Sequence, residues 1–281
     1  MTQNRLSSVN IISFLNILLP FGYAVAVYAY GKAFFADTPW AKSSKRWILL
    51  SVIGTHIVYL AARTTAFSHP PATTVYEVLT LLAFTTSAAY YVIESRTGNR
   101  ETGYFILNIP FFFQLVSSLF IKDLLEVPEI LRSNYFGFHV TAALAGYSAI
   151  TLSAVYGFLY LMLYHEIKQT RFGAVYRKLP SLENLERMSV MAIWLAFFFL
   201  AAAMLAGVVW LPQAFSDFSY ADPKLIGTVF IWLLYGAALA ARRSTRWKGR
   251  KMMIVAISGF VISIFSLTAV NMLLSGFHRF N

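Results

Sequence analysis

The sequence predicts an all-α, polytopic membrane protein with eight transmembrane helices. Of its 281 residues, 58% are hydrophobic and only 12% are charged, about half the charged fraction of an average soluble domain. Its mean hydropathy is +0.61. The apolar residues form long unbroken runs and do not alternate with polar ones. This pattern indicates helices, because the bilayer core admits only helices and closed barrels.

Eight apolar segments follow one another along the chain, and a helix needs about 20 such residues to cross the hydrocarbon core. The spans use almost all of the residues, so we treat residues 1–281 as a single domain. A mostly polar start, MTQNRLSSVN, lacks the pattern of a cleaved signal peptide, and we expect the first segment to be retained as a span. The segments lie at residues 9–35, 47–67, 73–93, 104–121, 135–165, 185–213, 225–241 and 252–275.

Three features between or within these segments carry their own predictions. Pro128 interrupts the connection 122–134, which predicts at most a short surface helix there. Connection 166–184 is the longest loop, and Ser181 is placed as the N-cap of the sixth span. Pro110, in Asn108-Ile109-Pro110, predicts a break in the fourth span of the kind that transporters use.

The basic residues predict the orientation. Of the 23 Lys and Arg residues, 17 lie in the odd-numbered connections, so these connections are expected to be cytoplasmic and both termini to lie on the outer, periplasmic or extracellular, side. Acidic residues divide evenly, so the net charge of +11 belongs to one face. That asymmetry is typical of contact with anionic membrane lipid and does not indicate nucleic-acid binding. The expected location is the bacterial cytoplasmic membrane.

Composition also limits the chemistry. The chain has no cysteine, which excludes disulfides, thiolate metal sites and covalent haem attachment through a C-x-x-C-H motif. No nucleophile–base pair, glycine-rich phosphate loop or carboxylate cluster stands out. We therefore expect no bond-making by this chain itself.

Two histidines fall at the outer side of the predicted topology. His139 lies about one turn inside the fifth span, and His278 follows the eighth. Two neutral imidazoles on opposite faces of a flat macrocycle are a common way to hold haem iron, so we predict that both are axial metal ligands of a non-covalent, b-type haem. The alternative is that each merely caps or snorkels at the interface. The remaining histidines, His56, His69 and His165, are interpreted as packing or interface residues.

The loop Gly207–Lys224 supplies aromatic rings that can cover a porphyrin, although aromatic belts are general at membrane interfaces. Outer-side cations can pair with the haem propionates. For one of them, Arg63, an ion pair with Glu77 is the favoured alternative. The predicted cofactor-binding set is Trp210, Phe215, Phe218 and Tyr220 as aromatic cover, with Arg63, Lys224 and Arg279 as cations.

Several short stretches, in one order, resemble the cytochrome c assembly proteins of the CcsA type, and most closely their HemX-like branch. They are Arg63 with Tyr76-Glu77-Val78-Leu79, His139 with Ala145-Gly146-Tyr147-Ser148, Leu182-Glu183-Asn184-Leu185-Glu186-Arg187, Gly207 and Trp210 with Asp222-Pro223-Lys224, and Asn271-Met272-Leu273-Leu274 with Gly276 and His278.

The resemblance implies an eight-span protein whose tryptophan-rich outer loop and two outer histidines bind haem for delivery to apocytochrome c. HemX-like members are instead associated with tetrapyrrole synthesis. This chain departs from the CcsA type in two ways. Phe215, Ser219 and Ala221 stand where tryptophans are expected, and the seventh span has no histidine.

Three interpretations follow. The first is a membrane haem-handling protein that acts in cytochrome c maturation or haem homeostasis, with haem and membrane lipid as partners. The second is a non-haem regulatory or scaffolding protein, whose basic loops recruit a cytoplasmic tetrapyrrole-synthesis enzyme or another cytochrome c assembly subunit. The third, a transporter or channel, ranks last because buried charges along a pathway are scarce.

Overall fold

The computed structural model describes residues 2–122, 127–170, 173–214, 219–221, 223–243 and 247–266. Within these ranges the regular structure is helical, with nine α-helices, one 3-10 helix and no strand. The α-helices are α1 (Thr2–Phe35), α2 (Pro39–Phe67), α3 (Val75–Thr97), α4 (Gly103–Phe120), α5 (Asn134–Lys168), α6 (Ala174–Lys178), α7 (Leu182–Ala214), α8 (Pro223–Ala241) and α9 (Arg250–Phe265).

Each of the first seven predicted apolar segments coincides with a helix, in the predicted order, and the eighth coincides with α9 over the part that the structure describes. Six of these helices, α1 to α5 and α7, are long and apolar enough to cross a membrane, and residues 225–241 of α8 form a shorter apolar helix. The prediction of a polytopic, α-helical membrane protein is therefore confirmed. The count of eight spans and the outer position of both termini stay predictions.

Two compact units account for the packing. The first comprises Met1–Val92 with Arg100–Thr141, and the second comprises Ile93–Asn99 with Ala142–Asn281. The first unit holds α1, α2, α4, most of α3 and the start of α5. The second holds the remainder of α5 and all of α6 to α9. The assignment of the chain to a single domain stays a prediction.

In the first unit, α1 packs along α2 and α4. The buried residues of α2 and α4 recur every three or four positions, as expected for one face of a helix turned toward neighbours. Pro110 is itself one of the buried residues, and α4 continues through it without interruption. The predicted helix break is wrong. A proline removes one intrahelical hydrogen bond, and the surrounding bonds persist because a bilayer offers the backbone no competing partners.

The connections behave largely as predicted. The backbone N–H of Asn184 donates to Ser181 Oγ at 3.3 Å, which confirms Ser181 as the N-cap of α7. The 3-10 helix Glu129–Arg132 directly follows Pro128 and confirms the short helix predicted for that connection. The short helix α6 lies inside the connection that was expected to be a loop.

Small residues and single polar contacts hold the second unit together, as is usual for helices in a bilayer. A Cβ at Gly157 of α5 would lie 3.2 Å from the carbonyl oxygen of Met253 in α9, so the two backbones approach closely there. Ser189 Oγ donates to the carbonyl of Ser153 at 2.9 Å and ties α7 to α5. Trp232 Nε1 donates to a carbonyl of α7 at 3.1 Å.

Candidate functional site

A buried ion pair joins the end of α2 to the start of α3. Arg63 Nη2 lies 3.1 Å from Glu77 Oε1, and the two side chains are only 1% and 0% exposed. The guanidinium also lies 4.8 Å from the ring centroid of Phe67, and Nη2 donates to the carbonyl of Lys122 at 3.4 Å. The predicted Arg63–Glu77 pair is confirmed. Arg63 thus has a carboxylate partner within the protein, and its predicted role with a haem propionate stays a prediction.

The second carboxylate oxygen of Glu77 caps the N-terminus of α3. Thr74 Oγ1 accepts the backbone N–H of Glu77 at 3.2 Å, while Glu77 Oε2 accepts the backbone N–H of Thr74 at 3.3 Å. This reciprocal arrangement is a capping box. Oε2 also accepts the backbone N–H of Thr73 at 2.8 Å and its hydroxyl at 2.7 Å. The sequence predictions did not include this capping box, although the pattern Thr74-x-x-Glu77 is typical of one.

A chain of hydrogen bonds crosses the interior of the first unit, and its central member is His56. The His56 ring is fully buried, with Nδ1 lying 3.0 Å from the hydroxyl of Tyr23 and Nε2 3.0 Å from the hydroxyl of Thr80. Thr80 in turn lies 2.6 Å from Oε1 of Gln114. These four side chains come from α1, α2, α3 and α4, so the polar chain links all four helices.

The direction of the bonds assigns the His56 tautomer. The single hydroxyl hydrogen of Thr80 goes to Gln114 Oε1, which can only accept, so Thr80 accepts from His56 Nε2–H. In the neutral ring Nδ1 is then the acceptor, and Tyr23 donates to it. The Tyr23 hydroxyl also lies 3.3 Å from the carbonyl of Ala83, but this distance is longer than the one to His56, and that carbonyl already accepts from Ser87 Oγ at 2.8 Å. Both ring nitrogens of His56 are thus committed within the protein, which confirms its interpretation as a packing residue.

The chain continues beyond Gln114 to α1. Gln114 Nε2 donates to Ser118 Oγ at 2.9 Å, and Ser118 Oγ donates to the carbonyl of Asn16 at 2.8 Å. The Asn16 side chain returns a bond to the carbonyl of Ser118 at 3.1 Å and accepts one from the Tyr59 hydroxyl at 3.1 Å. From Tyr23 to the Asn16 carbonyl, each donor points the same way, an arrangement in which neighbouring hydrogen bonds strengthen one another.

The predicted axial ligand His139 lies near the start of α5 and is half-buried. Two residues before it, a Cβ at Gly137 would lie 2.8 Å from Pro70 Cγ, so this end of α5 packs against the connection between α2 and α3. In that connection, the buried His69 donates from Nδ1 to the carbonyl of Pro70 at 2.9 Å. Such a bond leaves the lone pair of the neutral ring on Nε2.

The other predicted site residues fall into two groups. In the second unit, Trp210 is buried near the end of α7, whereas Tyr220 is 63% exposed. The remaining predicted residues lie outside the part of the chain that the structure describes; they are Phe215, Phe218, His278 and Arg279. The backbone of Lys224 is described, but its side chain is not. Of the described candidates, Arg63 and His139 belong to the first unit, and Trp210 and Tyr220 to the second.

A comparison with known proteins identifies the family. Residues 72–278 match the model of the family described as cytochrome C assembly protein. The chain belongs to this family. The resemblance to the CcsA type is confirmed, while membership of the HemX-like branch stays a prediction. The matched segment of this cytochrome c assembly protein includes both predicted axial ligands, His139 and His278. Arg63 and Arg279 lie just beyond its two ends.

Three relatives are each named cytochrome c biogenesis protein CcsA. The Trieres chinensis protein is 24% identical, with 96% of this chain and 98% of the relative aligned. The Guillardia theta protein is 26% identical over 79% of this chain and 80% of the relative. The Chlamydomonas reinhardtii protein is 30% identical over 151 residues, which is 53% of this chain and 41% of that relative. This last match therefore spans less than half of the relative's length.

Proposed function

We propose that this cytochrome c assembly protein handles haem in the bacterial cytoplasmic membrane. In the proposal it binds haem at its outer face and acts in cytochrome c maturation or haem homeostasis. The observation that carries it is the extent of the family match, 72–278, which contains His139 and ends on His278. The names of the relatives support the same role.

The proposed residues fit haem by their chemistry. Imidazole is a common axial ligand of haem iron, and His139 lies half-buried near the start of α5, a helix long and apolar enough to cross a membrane. The sequence has no cysteine for thioether attachment, and the proposed binding is non-covalent. When bound, the haem would supply the iron. His139 and His278 would supply axial imidazoles. The aromatic cover would come from Trp210, Phe215, Phe218 and Tyr220, and the propionate-binding cations would be Arg63, Lys224 and Arg279.

An absorption spectrum of the purified protein tests this proposal. We expect a Soret band that falls in His139→Gly and in His278→Gly and disappears in the double variant. Added imidazole is expected to restore part of the band in each single variant, because a small ligand can fill the vacated axial position. Loss of fold alone would not be reversed in this way.

A matched control lies on the same helix as His139. His165 is exposed near the other end of α5, so His165→Gly removes a histidine without touching the proposed ligands. We expect this variant to keep the full Soret band. Full haem occupancy in the His139→Gly/His278→Gly double variant would contradict the ligand assignment.

A second candidate function is a scaffold without haem that recruits a cytoplasmic tetrapyrrole-synthesis enzyme. Two observations favour it. Phe215, Ser219 and Ala221 replace the tryptophans expected of the CcsA type, and the short helix α6 presents an exposed Arg177 in a predicted cytoplasmic connection. A colourless preparation that retains such an enzyme, and loses it in Arg177→Ala, would support this function over the first.

A further inference from the structure

A wedge-shaped groove opens between α5 and α9 in the second unit. The two helices come into close contact at Gly157, as described above. From this point toward the end of α5 at Lys168, a cavity of about 580 Å³ lies between the helices. Its volume is within the range of roughly 300–1,000 Å³ that is usual for small-molecule sites.

The part of the groove nearest Gly157 is apolar. It is lined by Phe158 and Leu161 of α5 and by Ile254 of α9. Phe158 and Ile254 are 61% and 45% exposed. Exposed apolar side chains on a membrane-spanning helix face hydrocarbon, so these walls are suited to an acyl chain.

The mouth of the groove is basic. Lys168 is the last residue of α5 and Arg250 the first of α9, and both line the cavity together with His165. All three side chains are exposed. None of the described residues that line the groove is acidic, and the nearby described ion pair, Arg242 with Glu186 at 3.7 Å, does not involve the lining residues.

The position of the two cations leaves them suited to an external anion. Arg250 lies 6.0 Å from the ring centroid of Tyr164, a cation–π contact that holds the guanidinium beside the groove that both residues line. Lys168 contributes a second charge from the opposite wall. An apolar interior with a cationic mouth is complementary to a molecule that has an apolar chain and an anionic head.

We propose that this groove is a binding site for one anionic phospholipid. An acyl chain lies against Phe158, Leu161 and Ile254, and the headgroup phosphate lies between Lys168 and Arg250. The groove mouth is on the side that the basic residues predict to be cytoplasmic. Anionic lipids in the cytoplasmic leaflet are attracted to basic sites of this kind between transmembrane helices. The site is separate from the proposed outer haem ligands and does not depend on them.

Native mass spectrometry of the detergent-purified protein tests the charged part of the site. Phosphatidylglycerol and phosphatidylcholine with the same acyl chains are titrated onto the wild type and onto Lys168→Gln/Arg250→Gln. Each surface cation strengthens such binding about fivefold, so we expect the double variant to lose about 25-fold in phosphatidylglycerol affinity. Phosphatidylcholine is expected to bind the wild type more weakly and to be unaffected by the substitutions.

A matched control separates the site from general surface charge. Lys248→Gln/Lys251→Gln removes the same amount of charge from the same predicted cytoplasmic side, and neither residue lines the groove. We expect this variant to bind phosphatidylglycerol within twofold of the wild type. An equal loss in both double variants, or equal binding of both lipids by the wild type, would overturn the proposal.

The apolar part is tested by filling the groove. Ile254→Trp keeps both cations and occupies the chain-binding wall, so phosphatidylglycerol binding is expected to fall about tenfold while helical content by circular dichroism stays unchanged. Competition by millimolar inorganic phosphate would show that the site takes a free anion and would overturn the assignment.

Discussion

The Thr80 hydroxyl lies 2.6 Å from Oε1 of Gln114, and this bond determines which nitrogen of His56 carries the proton. Because the Thr80 hydrogen is committed to the amide oxygen, Thr80 can only accept from His56. One hydroxyl on α3 therefore orders the polar groups of α2 and α4. In a bilayer, where water is not available as a replacement partner, such bonds specify how helices pair.

Replacing Thr80 by valine tests the importance of this hydroxyl. Thr80→Val conserves shape but leaves His56 Nε2–H and Gln114 Oε1 buried without their partner, so we expect the free energy of unfolding to fall by about 2–4 kcal/mol. The measurement is denaturant unfolding in detergent micelles. Thr55→Val is the control, because Thr55 is only partly buried and its hydroxyl donates to the carbonyl of Ser51 in its own helix. Equal losses in the two variants would contradict the central role of Thr80.

The polar chain also shows where sequence reasoning stops. Long apolar runs correctly predicted the helices in the described parts of all eight segments, because hydrophobicity along one element is a local property. Asn16, Thr80 and Gln114 each appear as a single polar residue in an apolar helix, and nothing in the sequence states that they meet. Their partnership depends on the rotation of α1, α3 and α4 about their axes, which only the packed structure fixes.

In the candidate site, too, some features were predictable from the sequence and others were not. The Arg63–Glu77 pair was predictable because a buried charge at the end of one span requires an opposite charge nearby, and the adjacent span starts with a carboxylate. The capping box at Thr74 was equally readable and was missed. The predicted approach of His139 to His278 is a different case and stays a prediction, since the two are 139 positions apart in the sequence and no local rule brings them together.

Because the Arg63–Glu77 pair is buried, we expect removal of the cation alone to destabilise the protein more than removal of both charges. Arg63→Met leaves the Glu77 carboxylate buried without its cation, so we expect a loss of about 3–5 kcal/mol in the free energy of unfolding. The double variant Arg63→Met/Glu77→Gln is expected to be more stable than Arg63→Met, because glutamine can still cap α3 and no charge is stranded.

The exposed pair of Lys42 and Asp37 provides the comparison for this experiment. Its atoms are 2.9 Å apart, but the side chains are 54% and 61% exposed, so Lys42→Met should change the stability little. If Arg63→Met and Lys42→Met lowered the free energy of unfolding by the same small amount, the predicted effect of burying the Arg63–Glu77 pair would be wrong.

Gly103 is expected to be required for the start of α4. A Cβ at this position would overlap the ring of Tyr30 and lie 2.6 Å from the hydroxyl of Tyr90, and both rings are fully buried. Gly103→Ala should therefore lower the thermal unfolding temperature. Gly54→Ala is the control, since a Cβ at Gly54 meets nothing within 4 Å and alanine favours a helix by about 0.5–1 kcal/mol. An unchanged unfolding temperature in Gly103→Ala would show that Tyr30 and Tyr90 can shift without loss of stability, and it would contradict this prediction.

The absence of cysteine in the sequence makes the predicted topology directly testable. The decisive helix is α8, whose 19 residues span about 28 Å at 1.5 Å per residue, close to the hydrocarbon thickness of about 30 Å. Tyr220 precedes it and Lys248 follows it, and both are exposed. Single-cysteine variants Tyr220→Cys and Lys248→Cys are to be treated with a membrane-impermeant maleimide before and after permeabilisation of the cells.

If α8 crosses the membrane in the predicted direction, Tyr220→Cys is labelled in intact cells, and Lys248→Cys only after permeabilisation. Two further variants at exposed residues, Arg132→Cys and Thr170→Cys, flank α5, which is long enough to span without question, and calibrate the outer and cytoplasmic responses. Labelling of Tyr220→Cys and Lys248→Cys on the same side would mean that α8 does not cross. The chain would then have an odd number of spans, and the two predicted haem ligands could not both face outward.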